Sequence, residues 1–189
     1  METEQAQASS ARCDHIVAAA LACFAAKGVG ATTIADIRAR SGASTGSIYH
    51  HFGDKDGIAG RVYLAVLRQY QESYLTNLKR CRAAEDAVKT SVRHYLNWVV
   101  RNIDAARLLT EMRRVPQVMA ADADIRAETR DFFDAANGIF RGFIARGEMR
   151  DVPPHLLPAL LVAPCAAVAQ RWIEGGRSGD LSRDARELG

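Results

Sequence analysis

The sequence predicts an all-α protein of about nine helices, with a small N-terminal three-helix domain followed by a larger helical domain. Apolar residues recur at spacings of three and four along almost the whole chain, which is the period of an amphipathic helix. No run of alternating or β-branched residues between turn residues marks a strand. With 189 residues, 48% of them hydrophobic, the chain is long enough to bury a core without a disulfide or a metal.

The first three predicted helices are each followed closely by a glycine. They cover residues 11–26, 34–41 and 45–52, and they end before Gly28, Gly42 and Gly53. Glycine is common there because it adopts the left-handed conformation that closes a helix. Thr33 and Ser44 are the predicted N-caps of the second and third helices, since their hydroxyl oxygens accept backbone N–H groups. Asp36 adds a carboxylate to the first turn of the second helix, which the helix dipole favours.

A long fourth helix is predicted over residues 56–79, with Asp54 as its N-cap and an unbroken apolar period. At about 1.5 Å per residue it is some 35 Å long, enough to leave the small N-terminal unit and enter a second body. Further helices are predicted over residues 84–102, 105–115, 124–146, 154–174 and 180–188. We expect Pro164 to kink the fourth of these.

The second and third helices, joined by Gly42, Ala43 and Ser44, have the form of a helix-turn-helix. In that motif the second helix lies in the major groove of DNA and the first braces it. The apolar residues expected in one small core are Phe24, Ile34, Ile37, Ile48, Phe52 and Ile58. This arrangement leaves small polar groups and one tyrosine on the outward face of the third helix.

The candidate DNA contacts are Thr33, Ser44, Thr45, Gly46, Ser47, Tyr49, His50 and Lys55. Hydroxyl groups donate to phosphates or base edges, a glycine lets the backbone approach closely, and a lysine adds one mobile charge. Residues 1–60 hold five Lys or Arg against six Asp or Glu, so no basic patch supports DNA binding. We therefore expect the N-termini of the second, third and fourth helices to supply N–H groups and positive dipole ends.

The segment from residue 12 to 62 resembles the TetR family of bacterial transcriptional regulators. The matching residues are Thr32-Thr33, Gly42-Ala43-Ser44, Gly46-Ser47-Ile48-Tyr49-His50-His51-Phe52 and Lys55. Two positions depart from the family pattern, because Arg38 stands where a small alanine is common and Ala43 where valine is common. Arg38 is a further candidate for a phosphate or base contact.

The resemblance implies a DNA-binding domain over residues 1–55 and an effector-binding and dimerisation domain over residues 56–189. It implies a repressor that binds operator DNA as a homodimer and is released by a small apolar or aromatic effector, with coupling through the fourth helix. Candidate pocket residues are Trp98, Met112, Phe133 and Asn137. Core packing alone is the alternative explanation of such an aromatic and methionine-rich set.

The apolar helix over residues 154–174 is the candidate dimer interface. Ala159, Ala163, Ala166 and then Ala169 or Gln170 follow a spacing of three and four, and the small alanines let two helices approach closely. A simple core helix is the alternative interpretation.

An enzyme is the main competing class, because Gly42-Ala43-Ser44-Thr45-Gly46 matches the G-x-S-x-G pattern of α/β-hydrolases. That pattern requires a buried strand before the serine, and a polar amphipathic helix is predicted there instead. We therefore predict no catalytic activity. An all-α interaction protein that has lost DNA binding is the other alternative.

No metal, cofactor or disulfide is expected. His50 and His51 are adjacent and leave a helix about 100° apart, and the four cysteines form no cluster. The N-terminus lacks the basic and apolar regions of an export signal. No uninterrupted apolar run reaches the ~18 residues of a membrane helix. These observations predict a cytoplasmic protein that does not enter a membrane.

Overall fold

The computed structural model describes residues 2–112, 123–176, 180, 181 and 183, and among these residues it contains helices and no strand. The helices are α1 (Glu2–Lys27), α2 (Ile34–Ser41), α3 (Thr45–Phe52), α4 (Lys55–Leu78), α5 (Ala84–Arg101), α6 (Ile103–Met112), α7 (Ala123–Ala145), α8 (Leu157–Leu161) and α9 (Ala163–Glu174). A 3-10 turn over Pro154–Leu156 precedes α8. The predicted all-α fold is confirmed.

The boundaries of α2 and α3 match the prediction, whereas α1 begins well before it. Residues 2–10 continue α1 because they are mostly glutamate, glutamine and alanine, which form helices readily. The predicted helix over residues 105–115 corresponds to α6, and its residues 113–115 lie outside the described residues. Most of the predicted helix over residues 180–188 lies outside them as well.

The prediction of one helix over residues 154–174, kinked at Pro164, is wrong in its details. The helix is interrupted at Val162, and Pro164 lies in the first turn of α9. Proline has no N–H and its ring clashes with the carbonyl four residues earlier, which accounts for the interruption just before Pro164. By length and composition alone, the stretch Pro154–Glu174 is also apolar enough to cross a membrane, with a mean hydropathy of 1.5.

The chain forms two compact units. The first comprises Met1–Leu67 and Asp104–Ile125, and the second comprises Arg68–Ile103 and Arg126–Gly189. Both units thus contain part of α4. The functional boundary after residue 55 stays a prediction, because these units are defined by packing and not by ligand binding.

The core of the first unit contains most of the apolar residues predicted for it. Phe24, Ile37, Ile48, Phe52 and Ile58 are buried. Ile34 was expected in the same core but is only half-buried, since it is the first residue of α2 and lies at its edge. Residues of α1, including Ile16 and Ala20, complete the core.

The second unit is built around aromatic and aliphatic side chains from α4, α5, α7 and α8. The buried cluster consists of Tyr74, Leu78, Ala84, Ala87, Ala136, Phe140, Phe143 and Leu157. The N-cap residue of α5 is Ala83, and its side chain makes no capping hydrogen bond. Instead, the N–H of Ala84 donates to Oε2 of Glu148 at 2.8 Å. Arg146 binds the same carboxylate and is the largest cause of its lowered pKa, so a distant ion pair stabilises the start of α5.

Candidate DNA-binding site

A reciprocal pair of hydrogen bonds fixes the start of α2. The N–H of Asp36 donates to Oγ1 of Thr33 at 3.2 Å, and the N–H of Thr33 donates to Oδ2 of Asp36 at 2.9 Å. Lys27 Nζ donates to the other carboxylate oxygen at 2.6 Å. This bond and then those from Thr33 lower the pKa of Asp36 to about 2. The carboxylate is therefore ionised, and it neutralises one of the few cations in this region.

The turn between α2 and α3 depends on a left-handed glycine and a serine cap. Gly42 has a φ of 66°, and its N–H donates to the carbonyl of Arg38 at 2.9 Å. Ser44 Oγ accepts the N–H of Ser47 at 3.1 Å and so caps α3. A side chain at position 42 is strained in this conformation, so the turn that orients α3 requires glycine.

The two faces of α3 are divided as the sequence predicts. Ile48 and Phe52 are buried in the first unit. Thr45, Gly46, Tyr49 and His50 are exposed, and Tyr49 retains 49% of its accessible surface. Ser47 is half-buried, which places it at the edge of the exposed face. The exposed residues form one continuous polar surface over the first two turns of the helix, which we call the α3 face.

The start of α4 lies very close to the end of α3. Oδ1 of Asp54 accepts the N–H of Gly57 at 2.7 Å, as predicted for an N-cap. A Cβ atom at position 57 would lie 2.0 Å from the carbonyl oxygen of Phe52. Sequence reasoning missed this requirement for glycine, which permits the close contact between the backbones of α3 and α4.

Lys55 is held in place and is not the mobile charge that the sequence suggests. Its Nζ donates to the carbonyl oxygens of Val29 at 3.2 Å and Gly30 at 3.1 Å. The side chain therefore joins the loop between α1 and α2 to the start of α4. Arg38 and Arg40 are exposed on α2, and they supply positive charge beside the turn.

The hydrolase alternative lacks its structural context. Helix α2 precedes Ser44, where a nucleophile elbow requires a strand. Oγ of Ser44 is occupied by the N–H of Ser47, so its role in the described residues is that of a helix cap.

The four candidate pocket residues are distributed over both units. Met112 is completely buried in the first unit. Trp98 is buried in the second unit, where Phe133 and Asn137 are half-buried one turn apart on α7. Trp98 contacts Tyr70, with ring centroids 5.1 Å apart. The role of these four residues in a pocket stays a prediction.

An aromatic cluster in the second unit was missed by sequence reasoning, apart from Trp98. It consists of Tyr70, Tyr74, His94, Tyr95 and Trp98, with ring centroids 5.1 to 6.2 Å apart. Beside Tyr70 in the chain, Gln71 is buried, and its Oε1 has no hydrogen-bond partner among the described residues. A buried acceptor without a partner costs free energy unless a ligand or water donates to it.

The predicted dimer interface is partly exposed. Ala159 and Ala163 are exposed, whereas Ala166 and Gln170 are half-buried. Larger apolar residues on the same stretch were missed. They are Leu156, Leu160 and Val168, exposed by 41%, 60% and 39%. Their four-residue and eight-residue separations are a helical signal that could have identified them. We call the side chains of Leu156, Leu160 and Val168 the apolar face.

Comparison with known proteins relates residues 16–62 to one family. The model of the family described as bacterial regulatory proteins, tetR family, matches residues 16–62, which contain α2, α3 and the start of α4. Over 173 residues the chain is 25% identical to the HTH-type transcriptional repressor AcnR of Corynebacterium efficiens. That alignment covers 89% of this chain and 85% of the relative.

Two solved structures share the fold over nearly the whole chain. The fatty acid degradation regulator FadR from Bacillus halodurans has a TM-score of 0.78 at 14% identity, covering 94% of this chain and 92% of its own. FadR from Bacillus subtilis, solved with stearoyl-CoA, has a TM-score of 0.73 at 16% identity, with coverages of 92% and 94%. At these identities the likeness shows a common fold.

Proposed function

We propose that this chain is a regulator of the tetR family, whose model matches residues 16–62, and that it represses transcription by binding operator DNA through the α3 face. The observation that carries the proposal is the exposure of Thr45, Gly46, Tyr49 and His50 on one side of α3. Eight residues of helix span about 12 Å, close to the ~12 Å width of the major groove. The α3 face therefore fits the groove and offers hydroxyl groups to base edges.

The candidate contacts divide by the part of DNA that they reach. We assign base-facing positions to Ser44, Thr45, Gly46 and Ser47, and phosphate contacts to Thr33, Tyr49, His50 and Lys55. Each N-cap uses one N–H of its helix, and the other N–H groups of the first turn are available to phosphate oxygens. Lys55 contacts a phosphate by exchanging its carbonyl partners for phosphate oxygens.

A homodimer is the proposed DNA-binding form. One helix-turn-helix contacts too few bases for tight binding, and dimers read two half-sites about 34 Å apart. The apolar face exposes Leu156, Leu160 and Val168 to water in a single chain. Contact with the same face of a second copy removes these side chains from water, which favours dimerisation. We expect such a regulator in the cytoplasm, without catalytic activity.

The proposed effector is a small apolar or aromatic molecule with one hydrogen-bond donor. The aromatic cluster supplies ring surfaces, and the unpartnered Oε1 of Gln71 supplies an acceptor within the second unit. FadR from Bacillus subtilis binds stearoyl-CoA, which has a long apolar chain. Binding of an effector shifts the dimer toward a form in which the two α3 helices no longer match the distance between the two half-sites in the major groove.

Operator binding is tested by fluorescence anisotropy with DNA from upstream of the protein's own gene. We expect Tyr49→Ala to weaken binding of every sequence about tenfold, because it removes a phosphate contact. Thr45→Ala should change the preferred base at one position of each half-site. Thr76→Ala serves as the control, since Thr76 is an exposed threonine of the second unit.

Two results would contradict the proposal. One is a folded wild-type protein that binds no DNA from its own promoter, as expected of an interaction protein that has lost DNA binding. The other is equal affinity and preference in wild type, Tyr49→Ala and Thr45→Ala. For the effector, a thermal-shift screen in which no apolar ligand raises the melting temperature or releases DNA argues against that part of the proposal.

A further inference from the structure

The stretch from the end of α4 through the first half of α5 is the most basic part of the chain. Residues 79–93 contain five Lys or Arg and two acidic residues, Glu85 and Asp86. The start of the chain, by contrast, has slightly more acidic than basic residues over 60 positions. This positive charge therefore lies outside the region that we assign to DNA.

Part of this charge surrounds an open cleft within the second unit. The cleft has a volume of about 350 Å³ and is lined by Asn77, Arg80, Cys81, Asp86, Lys89, Thr90 and Arg93. We call it the basic cleft. Its volume is at the lower end of the range of small-molecule sites. Three of the lining side chains are cationic and one is anionic, so an anion is the favoured occupant.

The two arginines have no competing partner. The guanidinium groups of Arg80 and Arg93 make no hydrogen bond or ion pair in the described part of the chain, and both residues are exposed. Lys89 is instead paired with Glu85 at 2.8 Å, one turn away on α5. A free planar guanidinium binds phosphate oxygens through two parallel N–H donors.

Neutral groups in the basic cleft are also oriented by the fold. The thiol of Cys81 has two acceptors for its one hydrogen, Oγ1 of Thr90 at 3.3 Å and the carbonyl oxygen of Asn77 at 3.6 Å. When it donates to Thr90, the shorter of the two, the Thr90 hydroxyl hydrogen is available to an anion. Asn77 Nδ2 donates to the carbonyl of Ser73 at 3.0 Å and lies 3.1 Å from Nδ1 of His94. These bonds hold Asn77 in place and connect the cleft to the aromatic cluster through His94.

We propose that the basic cleft binds a phosphate-bearing small molecule, with Arg80 and Arg93 contacting the phosphate oxygens. Thr90 donates a further hydrogen bond, and Lys89 lines the cleft while it stays paired with Glu85. This site goes beyond operator binding and does not depend on it, because every lining residue lies between positions 77 and 93.

Isothermal titration of the full-length protein with pyrophosphate and with ADP, at constant ionic strength, tests the site. We expect saturable binding that weakens as sodium chloride is raised. Arg80→Gln and Arg93→Gln should each weaken binding about tenfold or more, because each removes a charge-assisted pair. Arg141→Gln is the matched control, since Arg141 is an exposed arginine on α7 outside the cleft. If pyrophosphate binds more tightly than ADP, the ligand of the basic cleft is a free inorganic anion. If ADP binds more tightly than pyrophosphate, the ligand is a phosphorylated organic molecule.

The site is refuted if wild type binds neither probe, or if both arginine variants bind as tightly as wild type. Operator affinity is measured on the same variants. Unchanged operator affinity with no anion binding rejects the cleft alone and leaves the proposed function standing. Loss of operator affinity in Arg80→Gln and Arg93→Gln would assign these arginines to DNA and also overturn the proposal.

Discussion

Two pairs of short helices in this chain present opposite kinds of surface. In the pair α2 and α3, Thr33 and Ser44 cap the helices and the α3 face is polar. In the pair α8 and α9, neither helix has a side-chain cap, and the exposed residues include Leu160 and Val168. Both pairs are joined by three residues or fewer.

The difference indicates what each pair needs as a partner. A capped pair with a polar surface is hydrogen-bonded by water, and in the proposed function it exchanges that water for the polar groups of DNA. An apolar pair loses free energy in water at about 25 cal/mol per Å² of apolar surface, so it is stabilised by another apolar surface. Changing the character of either pair therefore tests the comparison.

The largest expected effect comes from placing a charge on the apolar face. Leu160→Glu should raise the dimer dissociation constant at least about a hundredfold, because the symmetric contact contains the substitution twice. Analytical ultracentrifugation measures the change. Ala135→Glu is the control, since Ala135 is exposed on α7. A Leu160→Glu protein that is as dimeric as wild type would show that the apolar face is not the interface.

The next effect concerns the backbone contact between α3 and α4. Gly57→Ala places a Cβ against the carbonyl of Phe52, so we expect a loss of about 1–3 kcal/mol in the free energy of unfolding. Gly138→Ala, in α7 with no neighbouring atom within 4 Å, should instead add about 0.5–1 kcal/mol. Urea denaturation measures both. Effects of the same sign would contradict the proposed steric cause.

A smaller effect is expected from the cap of α3. Ser44→Ala leaves the N–H of Ser47 without its acceptor and should cost about 1 kcal/mol of folding stability. Ser10→Ala, at an exposed position inside α1, should cost nothing because alanine is the better helix former. Chemical denaturation gives the free energy of unfolding of both variants. It therefore distinguishes the loss of a helix cap from the replacement of a serine that caps nothing. Equal stability of the two variants would remove the evidence for capping.

The smallest effect is a pH dependence at the start of α2. Folding lowers the pKa of Asp36 from 3.8 to about 2, so the stabilisation is complete above about pH 5 and is lost as the pH falls through the folded pKa toward 2. Asp36→Asn should therefore reduce the difference in urea midpoint between pH 5 and pH 3. If the variant and wild type show the same slope over this range, another carboxylate is responsible.

These two helix pairs also show how much the sequence could predict. The bounds of α2 and α3 follow from signals that act within three residues, such as Thr33 with Asp36 and Ser44 with Ser47. The all-α fold and the helix-turn-helix were predictable for the same reason. Each of those patterns is local.

Features that depend on distant residues were not predictable. Glu148 caps α5 from 64 positions away, and Lys55 binds carbonyl groups 25 and 26 positions away. The break at Val162 depends on the backbone geometry before Pro164, which sequence periodicity does not reveal. The four candidate pocket residues were chosen by type, and type does not determine which side chains meet.

The near-neutral charge around α3 influences how the proposed repressor searches the genome. Residues 1–60 carry five cations and six anions, and Lys27 is already paired with Asp36. Residence on random DNA sequence increases with the number of phosphates that a protein neutralises. A weakly charged DNA-binding surface therefore dissociates quickly from non-operator DNA and slides only over short distances. Such a protein finds its operator mainly by repeated dissociation and rebinding. Such a search is less sensitive to cellular salt than that of a basic domain.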